Sequence, residues 1–238
     1  MDGLERCGVD GLVSLPRLFC APLLRCVTVS NHLVLLDVSA GSYDVVDQVG
    51  AAMWEQLLRE PDDRDLAGVA GEFGVSLAVV ESDFSTFAAE QRAVGRLVSE
   101  CPRPGASRKL VPRERPTIWR AFRERASAQR ELQRGFGAAY ARRTAWVADS
   151  AAPRIAVDQL VQRFRTADGL FPAREAPLDC LPRSLALTRF LRLAGWPAEH
   201  VIGVALHPFE AHAWVEVDGA AIDENPASLH RYTPIARA

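Results

Sequence analysis

The sequence predicts an α+β chain of two units: a small winged-helix-like unit of three strands and three helices, then a unit of helices followed by an antiparallel sheet. Three observations carry this. The chain has 238 residues, and domains run to roughly 100–200 residues each. Residues 99–116, SECPRPGASRKLVPRERP, hold four prolines, a glycine and several charges with no apolar period, which is linker composition. Away from that stretch the apolar residues repeat either every second residue or at helical spacing. The expected division is an N-terminal segment at 1–22, a first domain at 23–99, a linker at 100–116 and a second domain at 117–238.

In the first unit, CVTVS (26–30) and LVLLDV (33–38) are β-rich runs with Asn31-His32 as a tight turn between them. Ser39-Ala40-Gly41 is a second turn. SYDVVD (42–47) is a third strand, with Tyr43, Val45 and Asp47 on one face and Asp44 and Val46 on the other. Then Val49, Met53, Trp54, Leu57 and Leu58 take helical spacing, and Pro61-Asp62-Asp63 breaks that helix. Leu66–Phe73 is a short helix stopped by Gly74. Ser76 is placed as the N-cap of a longer helix reaching about Ser99, with Val79, Val80, Phe84, Phe87, Ala88, Val94 and Leu97 on its buried face.

In the second unit, the arginine-rich stretch Thr117–Trp146 reads as helical, and Ile155–Phe164 as an amphipathic helix. A loop, Thr166–Asp179, leads to Cys180. LPRSLALTRFLRLA (181–194) is a helix with Pro182 in its first turn, where the missing N–H costs nothing. Val201–Leu206 and Ala211–Val217 are strands. Asp218-Gly219 is a strong hairpin signal, returning Ala220–Asp223 as the partner strand.

Composition excludes several classes. Net charge is −2, with 28 basic and 30 acidic residues, whereas nucleic-acid binders carry a basic excess. No apolar run reaches about 18 residues, so no membrane-spanning helix is expected. The N-terminus lacks the basic head and continuous apolar body of a secretory signal, which points to the cytoplasm. Five cysteines, an odd number with no CxxC pair, speak against a disulfide framework or zinc site. No metal-ligand spacing and no glycine-rich phosphate loop exists, so neither a metal nor a cofactor is expected.

Two features carry chemistry. Cys180 falls at a helix start, where unpaired N–H groups and the helix dipole favour a thiolate over a thiol. A free cysteine is ordinarily a small buried hydrophobe, so the base matters. His212 lies on a strand, with Trp214 and Glu216 on its face. In a two-residue hairpin Asp223 falls opposite Trp214, diagonal to His212; a loop one residue longer brings Glu224 opposite it instead. Either way the hairpin supplies a histidine–carboxylate pair, which is what a nucleophilic thiol needs. His32, His200, His207 and His230 lack such a setting.

LDCLPRSLALTRFLRLAGWPAEHVIGV, then AHAWVEVDG and a following acid, resemble the lasso-peptide maturation proteases, the B proteins of those biosynthetic clusters, which are similar to transglutaminase-fold, papain-like cysteine proteases. The resemblance covers about residues 150–235. The first unit resembles the PqqD-like elements that bind the leader peptides of ribosomally made precursors, so the chain looks like the fused form of the B protein. The resemblance implies Cys180 as nucleophile and His212 as general base. It favours Glu224 as the third member, where hairpin geometry favours Asp223, and the choice stays open. It implies hydrolysis of the leader–core peptide bond, with helix N–H groups as oxyanion donors. It also implies a leader groove lined by Tyr43, Val45 and Asp47 on the third strand and by Asp83, Phe87 and Glu90 on the long helix. Expected partners are the precursor peptide and the ATP-dependent cyclase that closes the macrolactam.

Three rival readings use the same residues. Acyl transfer to an amine, as in transglutaminases, would leave an amide adduct rather than a free leader carboxylate. A non-catalytic leader-binding adaptor would tolerate Cys180→Ala. DNA binding by the winged-helix-like unit is opposed by Glu81, Asp83 and Glu90 on its last helix. The arginine-rich stretch 117–146 matches no motif.

Overall fold

A computed structural model describes residues 15–102, 108–110, 116–148, 155–172 and 179–238. Most of the expected N-terminal segment and much of the expected linker lie outside the described residues. Two compact units form. The smaller takes residues up to Leu24, Asn31–Leu33 and Val45–Pro104; the larger takes Arg25–Ser30, Val34–Asp44 and Gly105–Ala238. Both mix helix and sheet, as the sequence predicts.

The chain opens with β1 (Phe19–Cys20), then β2 (Leu24–Val29), β3 (His32–Asp37) and β4 (Ser42–Val46). The last three form a sheet in the order β2–β3–β4, which leaves β4 at an edge. The first turn sits one residue earlier than the sequence suggests. Ser30 and Asn31 both take positive φ, 48° and 62°, the conformation of a two-residue hairpin loop whose twist matches the strands. At the second turn the Asp37 carboxylate accepts from the Ser39 and Ala40 N–H groups, and Gly41 takes φ 72°.

Three helices follow: α1 (Gln48–Leu58), α2 (Leu66–Phe73) and α3 (Leu77–Ala93). Asp47 caps α1 by accepting from Gly50 N–H at 2.9 Å. Asp65 caps α2, and left-handed Gly74 ends it. Ser76 occupies the cap position of α3, but its side chain makes no capping bond. The helix also stops at Ala93 instead of running to Ser99. Gly95 takes φ 73° and Arg96 N–H closes back on Gln91 C=O, a left-handed stop. Leu97 therefore belongs to β5 (Leu97–Val98), antiparallel to β1, and is buried from a strand rather than from a helix face. Met53, Trp54, Leu57, Val80, Phe84 and Ala88 are buried in this unit, whereas Val79 in the first turn of α3 and Val94 just past its end are 48% and 64% exposed, against the expected buried face.

The larger unit continues with β6 (Arg108–Leu110), α4 (Ile118–Arg134), α5 (Phe136–Thr144) and β7 (Trp146–Ala148), the last parallel to β6. The helical stretch expected over 117–146 forms two helices, broken at Gly135, whose φ of 146° interrupts helical geometry, and ends in β7 at Trp146. Then come α6 (Val157–Asp168), which runs past the expected Phe164, and α7 (Cys180–Leu193). The sheet is β8 (Ala198–Ala205), β9 (Glu210–Val217), β10 (Ala220–Ile222) and, after a short α8 (Pro226–Leu229), β11 (Thr233–Arg237). Its order is β10–β9–β8–β11 and its paired strands are antiparallel. The sequence reading missed β11, because Pro234 obscures it. Proline cannot donate to a ladder and is confined to edges and bulges, and here it sits on an edge strand at a register shift.

One core joins α4, α6 and α7 to the sheet through Ala121, Leu160, Phe164, Phe190, Val215 and Val217. A second gathers Val34, Leu36 and Val38 of the early strands with Leu185, Ile202 and Val204. The arginines of α4 and α5 are partly internal. Arg125 and Arg143 are 1% and 2% exposed in their side chains, and Glu124 receives Arg120, Arg143 and Arg189. Charges this deep are tolerated only when paired.

Candidate active site

Cys180 is the first residue of α7. His212 is the third of β9, paired across the ladder with Gly203 of β8. The Asp218-Gly219 hairpin forms with φ of 50° and 77°, and Ala220, Ala221 and Ile222 pair with Val217, Glu216 and Val215. That is the two-residue register which, continued, would set Asp223 diagonal to His212. The strand does not continue. Asp223 takes φ 64°, which a non-glycine residue seldom adopts, and its carboxylate turns to Arg165 and Arg183. The bend delivers Glu224 to the imidazole, with Oε1 at 3.4 Å from His212 Nε2. The hairpin-geometry expectation for Asp223 therefore does not hold in position. A left-handed residue at the strand end has the effect of the longer loop.

The Cys180 thiol hydrogen-bonds His212. These contacts push the imidazole pKa up to about 9, the Cys180 bond first and the Glu224 bond second, against partial burial. The sign follows: an imidazolium is favoured in the folded state, so its contribution to stability is complete below the ordinary histidine value of about 6.5 and is lost as pH rises through about 9. A nuclear magnetic resonance titration of the His212 ring is expected to give a midpoint near 9, moving lower in Glu224→Gln. A midpoint near 6.5 in wild type would contradict the contact geometry.

Aromatic rings hold the imidazole plane. Tyr232 stacks on His212 with centroids 5.4 Å apart, and Trp214 lies near-parallel at 6.2 Å. Each ring is anchored by its polar tip. Trp214 Nε1–H donates to Glu216 at 2.8 Å, and Tyr232 O–H donates to Glu210 at 2.9 Å. Gly203 makes room for both: a Cβ there would fall 2.6 Å from Trp214 Cη2 and 3.0 Å from Tyr232 Cβ. A glycine inside a strand often marks such a close approach. Gly203→Ala is expected to cost about 1–3 kcal/mol by overpacking and to disturb His212, as read by thermal melting and by the same ring titration. A melting temperature and His212 midpoint both equal to wild type would contradict this.

Beside Cys180 and His212 opens a cavity of about 1020 Å³, walled largely by apolar side chains including Leu132, Phe136, Phe209 and Tyr232. Tyr43 also lines it, its ring edge-on to Phe209 at 5.4 Å. Burial pushes the Tyr43 hydroxyl up to about 12, keeping it protonated. Tyr43 thus lies apart from the other residues expected to line the leader groove. Val45, Asp47, Asp83, Phe87 and Glu90 line a separate depression of about 480 Å³ in the smaller unit, and Tyr43 does not. Successive strand residues advance about 3.3 Å, so two residues on one face reach different hollows. The cavity-wall roles of Tyr43 and Tyr232, and the close packing at Gly203, have no local sequence signal, because each depends on a distant element.

Elsewhere, His200 is fully buried and bonded to Ser184 at 2.9 Å, and burial pushes its pKa down to about 3. It belongs to the core. Among the described residues there is no group of three or more His, Cys, Asp or Glu that could hold a metal ion. Among them, too, no helix is long and apolar enough to cross a membrane.

Likenesses to known proteins are as follows. The sequence profile of the transglutaminase-like superfamily matches residues 118–237. The microcin J25-processing protein McjB of Escherichia coli is 43% identical over 58 residues, 24% of this chain and 28% of McjB. The chain thus matches little more than a quarter of that relative's length. Among solved structures, TbiB1 in complex with the TbiA(beta) leader peptide is similar at 20% identity, covering 35% of this chain and 98% of that one, with a TM-score of 0.28. The profile match runs from the start of α4 to the end of β11 and spans half of the chain; on that ground the chain belongs to the transglutaminase-like superfamily.

Proposed function

We propose that the chain is the leader peptidase of a lasso-peptide pathway, a cysteine peptidase that hydrolyses the bond between leader and core of a ribosomally made precursor. The observation that carries this reading is the Cys180–His212–Glu224 contact beside a cavity large enough for a peptide segment. Family membership and the local likeness to a microcin-processing protein support it.

In this mechanism the Cys180 thiol gives its proton to His212, and the sulfur attacks the scissile carbonyl carbon. N–H groups at the start of α7, which lack intrahelical acceptors, stabilise the oxyanion. As the C–N bond breaks, the imidazolium returns its proton to the leaving amine, which departs as the N-terminus of the core. Water, deprotonated by His212, then attacks the thioester and releases the leader carboxylate and the thiol. Glu224 holds Nε2–H throughout, fixing the ring orientation.

The leader binds the smaller unit, pairing at the Val45 end of edge strand β4 and lying over Asp47, Asp83, Phe87 and Glu90. Tethering that unit to the peptidase raises the local concentration of the cleavage site. The ATP-dependent cyclase that closes the macrolactam is the expected partner, and the work is cytoplasmic. The test is to incubate a lasso precursor and its cyclase with wild-type protein or Cys180→Ala and read masses. Free leader and processed core in the wild-type reaction alone support the reading. An amide adduct of the leader would move the assignment to acyl transfer, and undiminished maturation by Cys180→Ala would make the chain an adaptor.

A further inference from the structure

A chain of alternating charges runs through the larger unit, and both its ends fall beside the proposed reacting groups. Asp179 directly precedes Cys180, and its carboxylate pairs with Arg125 Nη2. Arg125 Nε reaches Asp168 Oδ1 at 2.8 Å. The other oxygen of Asp168 lies 3.2 Å from Arg183 Nε. Arg183 Nη2 reaches Asp223 Oδ2 at 2.7 Å, and Asp223 directly precedes Glu224. Arg165 closes the far side of Asp223.

We propose that the ion-paired chain Asp179–Arg125–Asp168–Arg183–Asp223 positions Cys180 and Glu224 on either side of His212, its members acting as positioning residues for the peptidase reaction. The inference rests on the reading of those three residues as the reacting groups. It also gives the arginine-rich stretch 117–146 a task.

Three observations favour positioning over stability alone. Buried ion pairs are a poor source of net stability, because desolvation offsets their attraction, yet the Arg125 side chain is 1% exposed and that of Asp223 4%. Asp223 holds a left-handed backbone, and the two arginines on its carboxylate fix the bend that carries Glu224. The chain also spans three helices, α4, α6 and α7, and the end of β10, elements that lie apart in sequence. A rigid charged link fixes their mutual offset, where a misplacement of about 1 Å can cost 10²-fold in rate.

The groups facing His212 are the Cys180 thiol, the Glu224 carboxylate and the Trp214 and Tyr232 rings; the charged chain stands one residue behind the first two. The test needs no precursor. The rate of Cys180 alkylation by iodoacetamide is followed against pH for wild type, His212→Ala, Arg125→Gln, Arg125→Lys, Arg183→Gln and Asp223→Asn, using variants whose thermal melts show a folded state. Below about pH 9, where His212 carries its proton, wild type should alkylate faster than His212→Ala. Asp223→Asn and Arg125→Gln should lose at least about tenfold of that rate, their profiles moving toward that of His212→Ala, and Arg125→Lys should recover part of the loss. Arg183→Gln, at a half-exposed position, keeps the test alive if Arg125 variants fail to fold. Wild-type profiles in Arg183→Gln and Asp223→Asn, whatever their melting temperatures, would overturn the proposal. A wild-type profile equal to that of His212→Ala would instead overturn the triad beneath it, and the proposal with it.

Discussion

His212→Ala is expected to slow leader cleavage by about 10²–10⁴-fold, and Cys180→Ala by about 10⁶-fold, which is below detection in most assays. The two losses should not add, because groups that act as a unit fail together; the double variant should be no slower than Cys180→Ala. The asymmetry has a physical source. Without the imidazole the thiol can still attack from its minor thiolate population, but the leaving amine has no proton donor. Without sulfur there is no covalent intermediate. Leader binding should stay within about twofold in both variants, since the depression at Val45, Asp83 and Phe87 shares no residue with the Cys180 cavity. Titration of a labelled leader peptide checks this beside the cleavage rate. A His212→Ala protein cleaving at wild-type rate would remove the base from the mechanism.

Arg192→Met is expected to cost about 3–5 kcal/mol, the range seen when one partner of a buried charged contact is deleted. For a unit of this size that lowers the melting temperature by roughly 10 °C. Arg192 is 3% exposed and its guanidinium donates to four backbone carbonyls. Nε reaches Ala198 O at 2.7 Å, Nη1 reaches Thr144 O at 3.2 Å and Trp146 O at 2.6 Å, and Nη2 reaches Ala238 O at 2.7 Å. One side chain thus pins the end of α5, β7, the start of β8 and the residue after β11. Methionine fills similar length but offers no donor, and each carbonyl left unsatisfied in the interior costs about 1–3 kcal/mol. Burial and the Arg192 charge together hold His200 neutral, so the loss should be partly eased at acid pH relative to wild type. Thermal melts at two pH values measure both effects, and an unchanged melting temperature would mean that other donors reach those carbonyls.

Local features were legible before any coordinates. The change of period at Val49 marks α1, and Gly74 marks the end of α2. The Asp-Gly pair sets the β9–β10 register, and Cys180 starts a helix as its Leu-Pro-Arg sequel implies. Each of these is decided within a few residues by sterics and capping. What stayed hidden depends on distance. The choice between Asp223 and Glu224 turns on one left-handed residue, held there by arginines 40 and 58 positions away. A side-chain alternation rule has no access to that. Tyr43 reads as a groove residue because its strand neighbours are; only the packing of Phe209 beside it assigns the ring to the other cavity. The arginines of α4 match no sequence motif, because the partners of Arg125, Asp168 and Asp179, arrive from other elements.

The central claim is that the Cys180 sulfur becomes acylated by the leader. Acid quenching of wild-type protein during turnover, followed by intact-mass and peptide mapping, tests it most directly. A species heavier by the leader less one water is expected, mapped to Cys180, discharged by hydroxylamine and absent from Cys180→Ala. Cleavage that proceeds with no adduct at Cys180, and at undiminished rate in Cys180→Ala, would contradict it.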